Sequence, residues 1–261
     1  MSGRMKNKES FVTVLLIVLI TLLIAAGVFL LVALRGDSDR SSSSSSEAET
    51  VKRSGLYAYE VVNNGIRITE YFGEEKHVVV PETIEGKPVE IIAEYAFDQH
   101  GEMVSVTLPE CLTVLEGGAF YHCYGLSEVT IPKNIRTIGA NPFFRCSILT
   151  AITVDPENKF FMDEDGVLFN KSRTEIVVYP EGRKQEQYAI PDSVEEIRSR
   201  AFSHFCKDLR YLVISPNLVD FPDDHFLAFP DDITFIVEAG SAAEQYAKEY
   251  KLKYEIVQSV G

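Results

Sequence analysis

The sequence predicts a β-rich solenoid of short repeats joined to one N-terminal transmembrane helix, and three observations predict it. A stretch of 24 residues, Phe11 to Leu34, carries no charge. A template I-P-x-x-V-x-x-I-x-x-x-A-F recurs through the second half of the chain and part of the first. Between them lies a polar, serine-rich segment that cannot build a core.

The apolar stretch comes first. At 1.5 Å per residue, 24 residues reach roughly 36 Å, enough to cross a hydrocarbon core of about 30 Å. A cleaved signal peptide has a shorter apolar region ending in small residues, so residues 11–34 are expected as a retained signal anchor. Charge does not orient it: Arg4, Lys6 and Lys8 precede the helix, and Arg35, Arg40, Lys52 and Arg53 follow. Residues 35–56, containing SDRSSSSSSEAET, read as a flexible linker. Its 22 residues span at most roughly 77 Å, and about 26 Å as a random coil, so the domain stays near the membrane.

The folded part is expected over residues 57–257. From Tyr57 onward 34 acidic side chains face 18 basic ones, a net −16. That balance disfavours nucleic acid and anionic lipid surfaces, and it suits either a cationic partner or simple solubility. Four cysteines without zinc spacing do not fix a redox compartment.

Inside the folded part, LPECLTVLEGGAFYHC from Leu108, IPKNIRTIGANPFFRC from Ile131 and IPDSVEEIRSRAFSHF from Ile190 superpose without gaps. Two further copies are degenerate: VVPETIEGKPVEIIAEYAF, with an insertion between Pro81 and Val89, and ISPNLVDFPDDHF. Val106, Val129 and Ile152 are 23 residues apart, a spacing within the leucine-rich-repeat range. Val106-Thr107-Leu108 and Val129-Thr130-Ile131 alternate as strands do, two side chains inward and one outward. A second apolar pair follows, as in Leu112 and Leu115 or Ile135 and Ile138. Phe97, Phe120, Phe143, Phe202 and Phe226 then fill the turn; one unit cannot bury this surface, and stacked units can.

These units resemble the BspA-like class of bacterial leucine-rich repeats, whose unit ends in A-F-x-x-C-x-x-L. The ending stands as AFYHCYGL from Ala119 and, less perfectly, as PFFRCSIL from Pro142. AFSHFCKDL from Ala201 departs by one extra residue, and the first copy lacks the cysteine. The resemblance covers roughly Tyr57 to Val257. It implies a surface-exposed domain made for protein or glycan contact, with the repeats extracytoplasmic and residues 1–10 a cytoplasmic tail.

A solenoid must close its ends. Asn64-Gly65 between two alternating runs predicts an N-terminal hairpin cap. Ser241 followed by Glu244 predicts a capped helix within a C-terminal cap, residues 240–257. The period breaks at residues 155–187, where Asp165-Gly166 predicts a hairpin insertion. The acidic cluster Asp163, Glu164, Asp165 does not fit a calcium loop, which would need acids at Phe161 and Ser172.

No catalytic motif, metal spacing or cofactor fingerprint occurs, and the five histidines show no pairing. Catalytic, cofactor and metal residues are therefore none, and no enzyme is expected. Cys123 and Cys146, one period apart, are expected as a buried thiol ladder, a bridge being the alternative. Asn170-Lys171-Ser172 is a short glycosylation sequon with many chance occurrences.

The candidate binding face is the outward position of each first strand: Val79, Thr107, Thr130, Thr153, Val178, Ala189, Val213 and Thr234, with Glu128, Arg210 and Tyr211 beside them. Small β-branched residues chosen for sheet propensity explain the strip equally well. The expected function is a membrane-anchored extracytoplasmic recognition module for protein or glycan. A membrane-proximal envelope scaffold and a cryptic hydrolase in the insertion are the alternatives.

Overall fold

The computed structural model describes residues 51–221 and 229–257. The expected anchor and most of the linker lie outside the described residues, as do His225 and Phe226. Among the described residues no helix is long and apolar enough to cross a membrane.

The cap comprises β1 (Lys52–Ser54), β2 (Tyr57–Val62) and β3 (Gly65–Tyr71), paired antiparallel. Strand β1 lies inside the segment expected as linker, because its backbone pairs with β2 although its side chains are polar. The hairpin turn is Asn63-Asn64, not Asn64-Gly65. Both asparagines take left-handed φ, 48° and 70°, as the turn requires, while Gly65 pairs with Val62. A Cβ on Gly65 would sit 2.5 Å from the Glu90 carboxylate.

The repeats supply β4 (His77–Val79), β5 (Thr83–Ile84) and β6 (Lys87–Ile92), then β7 (Ser105–Thr107) and β8 (Val114–Leu115), then β9 (Glu128–Ile131), β10 (Thr137–Ile138) and β11 (Ala151–Val154). The insertion supplies β12 (Phe161–Glu164), β13 (Val167–Asn170) and β14 (Glu175–Val178). After it come β15 (Gln187–Ala189), β16 (Glu196–Ile197), β17 (Tyr211–Val213), β18 (Thr234–Glu238), the helix α1 (Ala242–Glu249) and β19 (Lys253–Val257). The described residues make about eight turns.

Two parallel ladders run along the stack. The outer one pairs β4 with β7, β9 with β11, and β15 with β17, β18 and β19. The other runs β3, β6, β8, β10 and resumes as β14 with β16. The third side is an aromatic stack: Tyr71, Phe97, Phe120 and Phe143 follow at 4.9, 4.8 and 5.7 Å, and Tyr179, Phe202 and Phe229 at 4.9 and 5.8 Å. Phe229 takes the stacking place that the template gives to Phe226. Each buried ring contributes roughly 1.5–3 kcal/mol by leaving water, and stacking adds about 0.5–1.5 kcal/mol.

The insertion is more than a hairpin extension. Its third strand is itself a rung: β14 pairs parallel with β16, and Tyr179 stands in the aromatic stack. Arg198 ties this rung to the earlier one, holding Glu175 at 2.5 and 2.8 Å and donating to the Ile138 carbonyl at 2.9 Å. At the C-terminal end, Ser241 caps α1 by accepting from the Glu244 amide, and Glu244 accepts from the Gly240 amide at 2.7 Å. Tyr246 stacks on Phe221 at 4.4 Å, and β19 pairs with β18 to close the ladder.

Candidate binding face

Alternation along the outer ladder sends one set of side chains into the core and leaves two rows outside. The first row is His77, Ser105, Glu128, Ala151, Gln187, Tyr211 and Thr234; the second is Val79, Thr107, Thr130, Thr153, Ala189, Val213 and Ile236. Val79, Thr107, Thr130, Thr153, Ala189 and Val213 therefore stand together as the sequence predicts. Two residues do not.

Val178 is only 1% exposed, since it belongs to β14 in the inner ladder and points into the core. Thr234 is on the expected face but pairs with Tyr211, so it lies in the first row, and Ile236 takes its place beside Val213. The repeat is interrupted before both residues, so counting from the template loses the register.

The face is small-chained and open. Val79 is 69% exposed, and the Thr130 and Thr153 hydroxyls are 3.0 Å apart. His77 Nδ1 meets the Ser105 hydroxyl at 2.9 Å in the other row. Tyr211, 41% exposed, stands at the C-terminal half of the face next to Arg210, whose guanidinium donates to the Lys207 carbonyl. Glu128 is exposed in the middle of the first row.

The Asp165-Gly166 turn sits against this face. Ile152 donates its amide to the Gly166 carbonyl at 2.9 Å, and a Cβ on Gly166 would meet Ala151 at 2.8 Å. On the far side of the turn, Glu164, Asp165, Arg173, Tyr188, Ala189 and Asp192 line a cleft of about 310 Å³. Arg173 pairs with Glu164 across it. Burial pushes the Tyr188 hydroxyl pKa well up, so it remains a neutral donor. The Asp-Gly pair announces the turn in the sequence; nothing there announces that it docks between β11 and β15.

The remaining polar groups have structural partners. Asp163 accepts from the Val154 amide at 2.8 Å and so fixes the entry to the insertion. Asn170 accepts from the Thr174 and Glu175 amides and donates to the Thr174 hydroxyl, which occupies the sequon's amide. All four cysteines are free. The Cys123 and Cys146 thiols donate to the Phe97 and Phe120 carbonyls at 3.1 and 3.2 Å, a ladder without a bridge. Among the described residues no three His, Cys, Asp or Glu side chains gather as a metal site.

A model of the BspA-type leucine rich repeat region matches residues 77–189 in six copies. Among solved structures the chain is similar to a leucine-rich repeat protein from Eubacterium ventriosum at 17% identity and a TM-score of 0.50, covering 71% of this chain and 64% of that one. It is also similar to the leucine rich repeat protein of T. pallidum, at 23% identity and a TM-score of 0.47, covering 80% of this chain and all of that one. A leucine rich cell surface protein from Faecalibacterium prausnitzii is similar at 16% identity and a TM-score of 0.38, covering 83% and 97% of the two chains. The first of these likenesses shows the fold alone, and the chain spans just under two thirds of that protein's length. No curated protein matches the chain.

Proposed function

Residues 77–189 belong to the BspA type of leucine-rich repeat, and on that premise we propose that the chain is a non-enzymatic recognition module, anchored in the membrane by residues 11–34 and binding an extracytoplasmic protein or glycan. The observation that carries this reading is the row Val79, Thr107, Thr130 and Thr153, small side chains in register along an open sheet. Small residues let a partner approach the strands closely, and Glu128, Arg210 and Tyr211 supply polar and aromatic contacts around them.

The test is a binding survey over envelope proteins and glycans with the full-length chain, repeated with Thr130→Arg and Thr153→Arg. Both positions are exposed, so the variants keep the melting temperature while losing at least about tenfold in affinity for a face ligand. Equal binding by both variants moves the site off this face. The short serine-rich segment favours a second reading, a membrane-proximal envelope scaffold. Labelling of intact cells separates the two: reaction with an impermeant reagent supports surface recognition, and protection supports the scaffold.

A further inference from the structure

The turns between the two ladders carry a local reversal of charge. After the turn proline the repeats place Glu82, Glu110 and Asp192, but the third copy places Lys133. At the outward position inside the second apolar pair stand Glu90, Thr113, Glu195 and Val219, yet the third copy has Arg136 there, and Lys159 follows it 23 residues later on the next turn. In a domain of net −16, three basic residues thus converge on neighbouring turns, at positions where no other copy of the template places a base.

They converge on a cavity. Lys133, Asn134, Arg136, Glu157, Lys159 and Phe160 line an open cleft of about 830 Å³. Lys133 is 3.9 Å from Glu157, a solvated pair of little strength. Among the described residues neither Arg136 nor Lys159 has an ion-pair partner, and both are exposed. The Phe160 ring beside them is 45% exposed. Asn134 donates to the Glu110 carbonyl at 2.8 Å, which leaves its amide oxygen as an acceptor in the cleft.

We propose that this cleft binds an acidic polysaccharide, a chain of carboxylate-bearing sugars. Arg136 and Lys159 hold successive carboxylates, since adjacent rungs are about 4.8 Å apart. Phe160 offers an apolar face to a sugar ring, and the Asn134 oxygen and the Glu157 carboxylate accept from its hydroxyls. A denser polyanion such as nucleic acid is repelled more strongly by Glu90 and Glu110 on the preceding turns. An acidic peptide can offer backbone N–H donors to the two acceptors but has no sugar ring to lay on Phe160. The site is independent of the sheet face proposed above.

The experiment measures binding of a defined oligogalacturonate to the full-length chain by interferometry, across a range of salt. Binding is expected to weaken with salt and to fall by about tenfold in the double variant R136E/K159E and in the milder R136Q/K159Q. F160A is expected to lose several-fold, and K184Q, which removes an exposed cation outside both sites, to bind normally. The methyl-esterified oligomer, which has the sugars without the charge, is expected to bind about tenfold more weakly. Absence of binding, full binding by both double variants, or equal binding of a poly-glutamate peptide overturns the proposal, the last by marking a peptide site.

Discussion

Gly139 shows how little room the stack leaves at a single residue. A Cβ there would lie 2.3 Å from the Gly117 nitrogen and 2.9 Å from its Cα, both backbone atoms that a side-chain rotation cannot move. Gly139→Ala is expected to destabilise by about 1–3 kcal/mol, read as a lower urea midpoint. Glu181 makes the opposite case, a native residue that costs stability. It is buried, accepts from the Arg145 amide at 2.9 Å, and leaves its second carboxylate oxygen without a partner. Burial raises its pKa above the usual carboxylate value, against the lowering pull of the Arg145 amide and the Ser203 hydroxyl. A raised folded-state pKa favours the protonated form, so the burden is absent below the unfolded pKa and grows as pH rises through the folded one. Glu181→Gln is therefore expected to melt higher than the native chain near neutral pH, with the difference closing in acid. Melting curves from pH 4 to pH 8 check it; a constant offset across that range sinks the explanation. The repeated phenylalanines and cysteines could be read as interior from the template. The left-handed residues were only half legible: Tyr95, Asn141 and Arg200 take φ of 60°, 27° and 61° at the place where Gly118 takes 62°, so glycine and asparagine announce the conformation by type and Tyr95 and Arg200 do not.

Strands of two or three residues make no stable element alone, and their stability comes from the neighbouring rung. Phe120 is the centre of one such dependence, fully buried between Phe97 and Phe143, with the Cys146 thiol on its carbonyl. Phe120→Ala is expected to cost about 3–5 kcal/mol, because rings stacked on both sides cannot collapse into the space. The helix α1 depends on its cap: Ser241→Ala removes the acceptor for the Glu244 amide and is expected to cost about 1 kcal/mol. Both are read from equilibrium denaturation, and a Phe120→Ala loss below that of Ser241→Ala would contradict the stacked core. At this scale the regular rungs were legible because their period is fixed at 23 residues. The rung at β14 was not, because Tyr179 replaces the A-F ending and no turn proline precedes it at the repeat spacing. The same loss of period misplaced Val178, while the cleft beside Ala189 depends on where a hairpin docks and has no linear signature.

The molecule as a whole has two interiors separated by the insertion. One cluster runs from Tyr59 to Ile152 and takes Phe161, Leu168, Val177 and Val178; the other runs from Ile190 to Ala247 and takes Val167, Phe169, Ile176 and Tyr179. Successive residues of β13 and β14 are thus shared out between the two sides, so the insertion is a wall with a packed face in each direction. In a stack where each rung contacts only its neighbours, coupling between distant rungs must pass through every interface in between. The wall is then the link on which single-step unfolding depends, reinforced by Arg198 between Glu175 and the Ile138 carbonyl. The double variant Leu168→Ala/Val177→Ala empties only the side facing the earlier repeats. Denaturation of the native chain is expected in one transition. The variant is expected to unfold in two, with amide protection lost first in β9 and β11 and retained in β17, β18 and α1. A single transition moved bodily to lower denaturant would mean that the two halves are coupled by more than the wall, and the nearest-neighbour account of this solenoid would have to be abandoned.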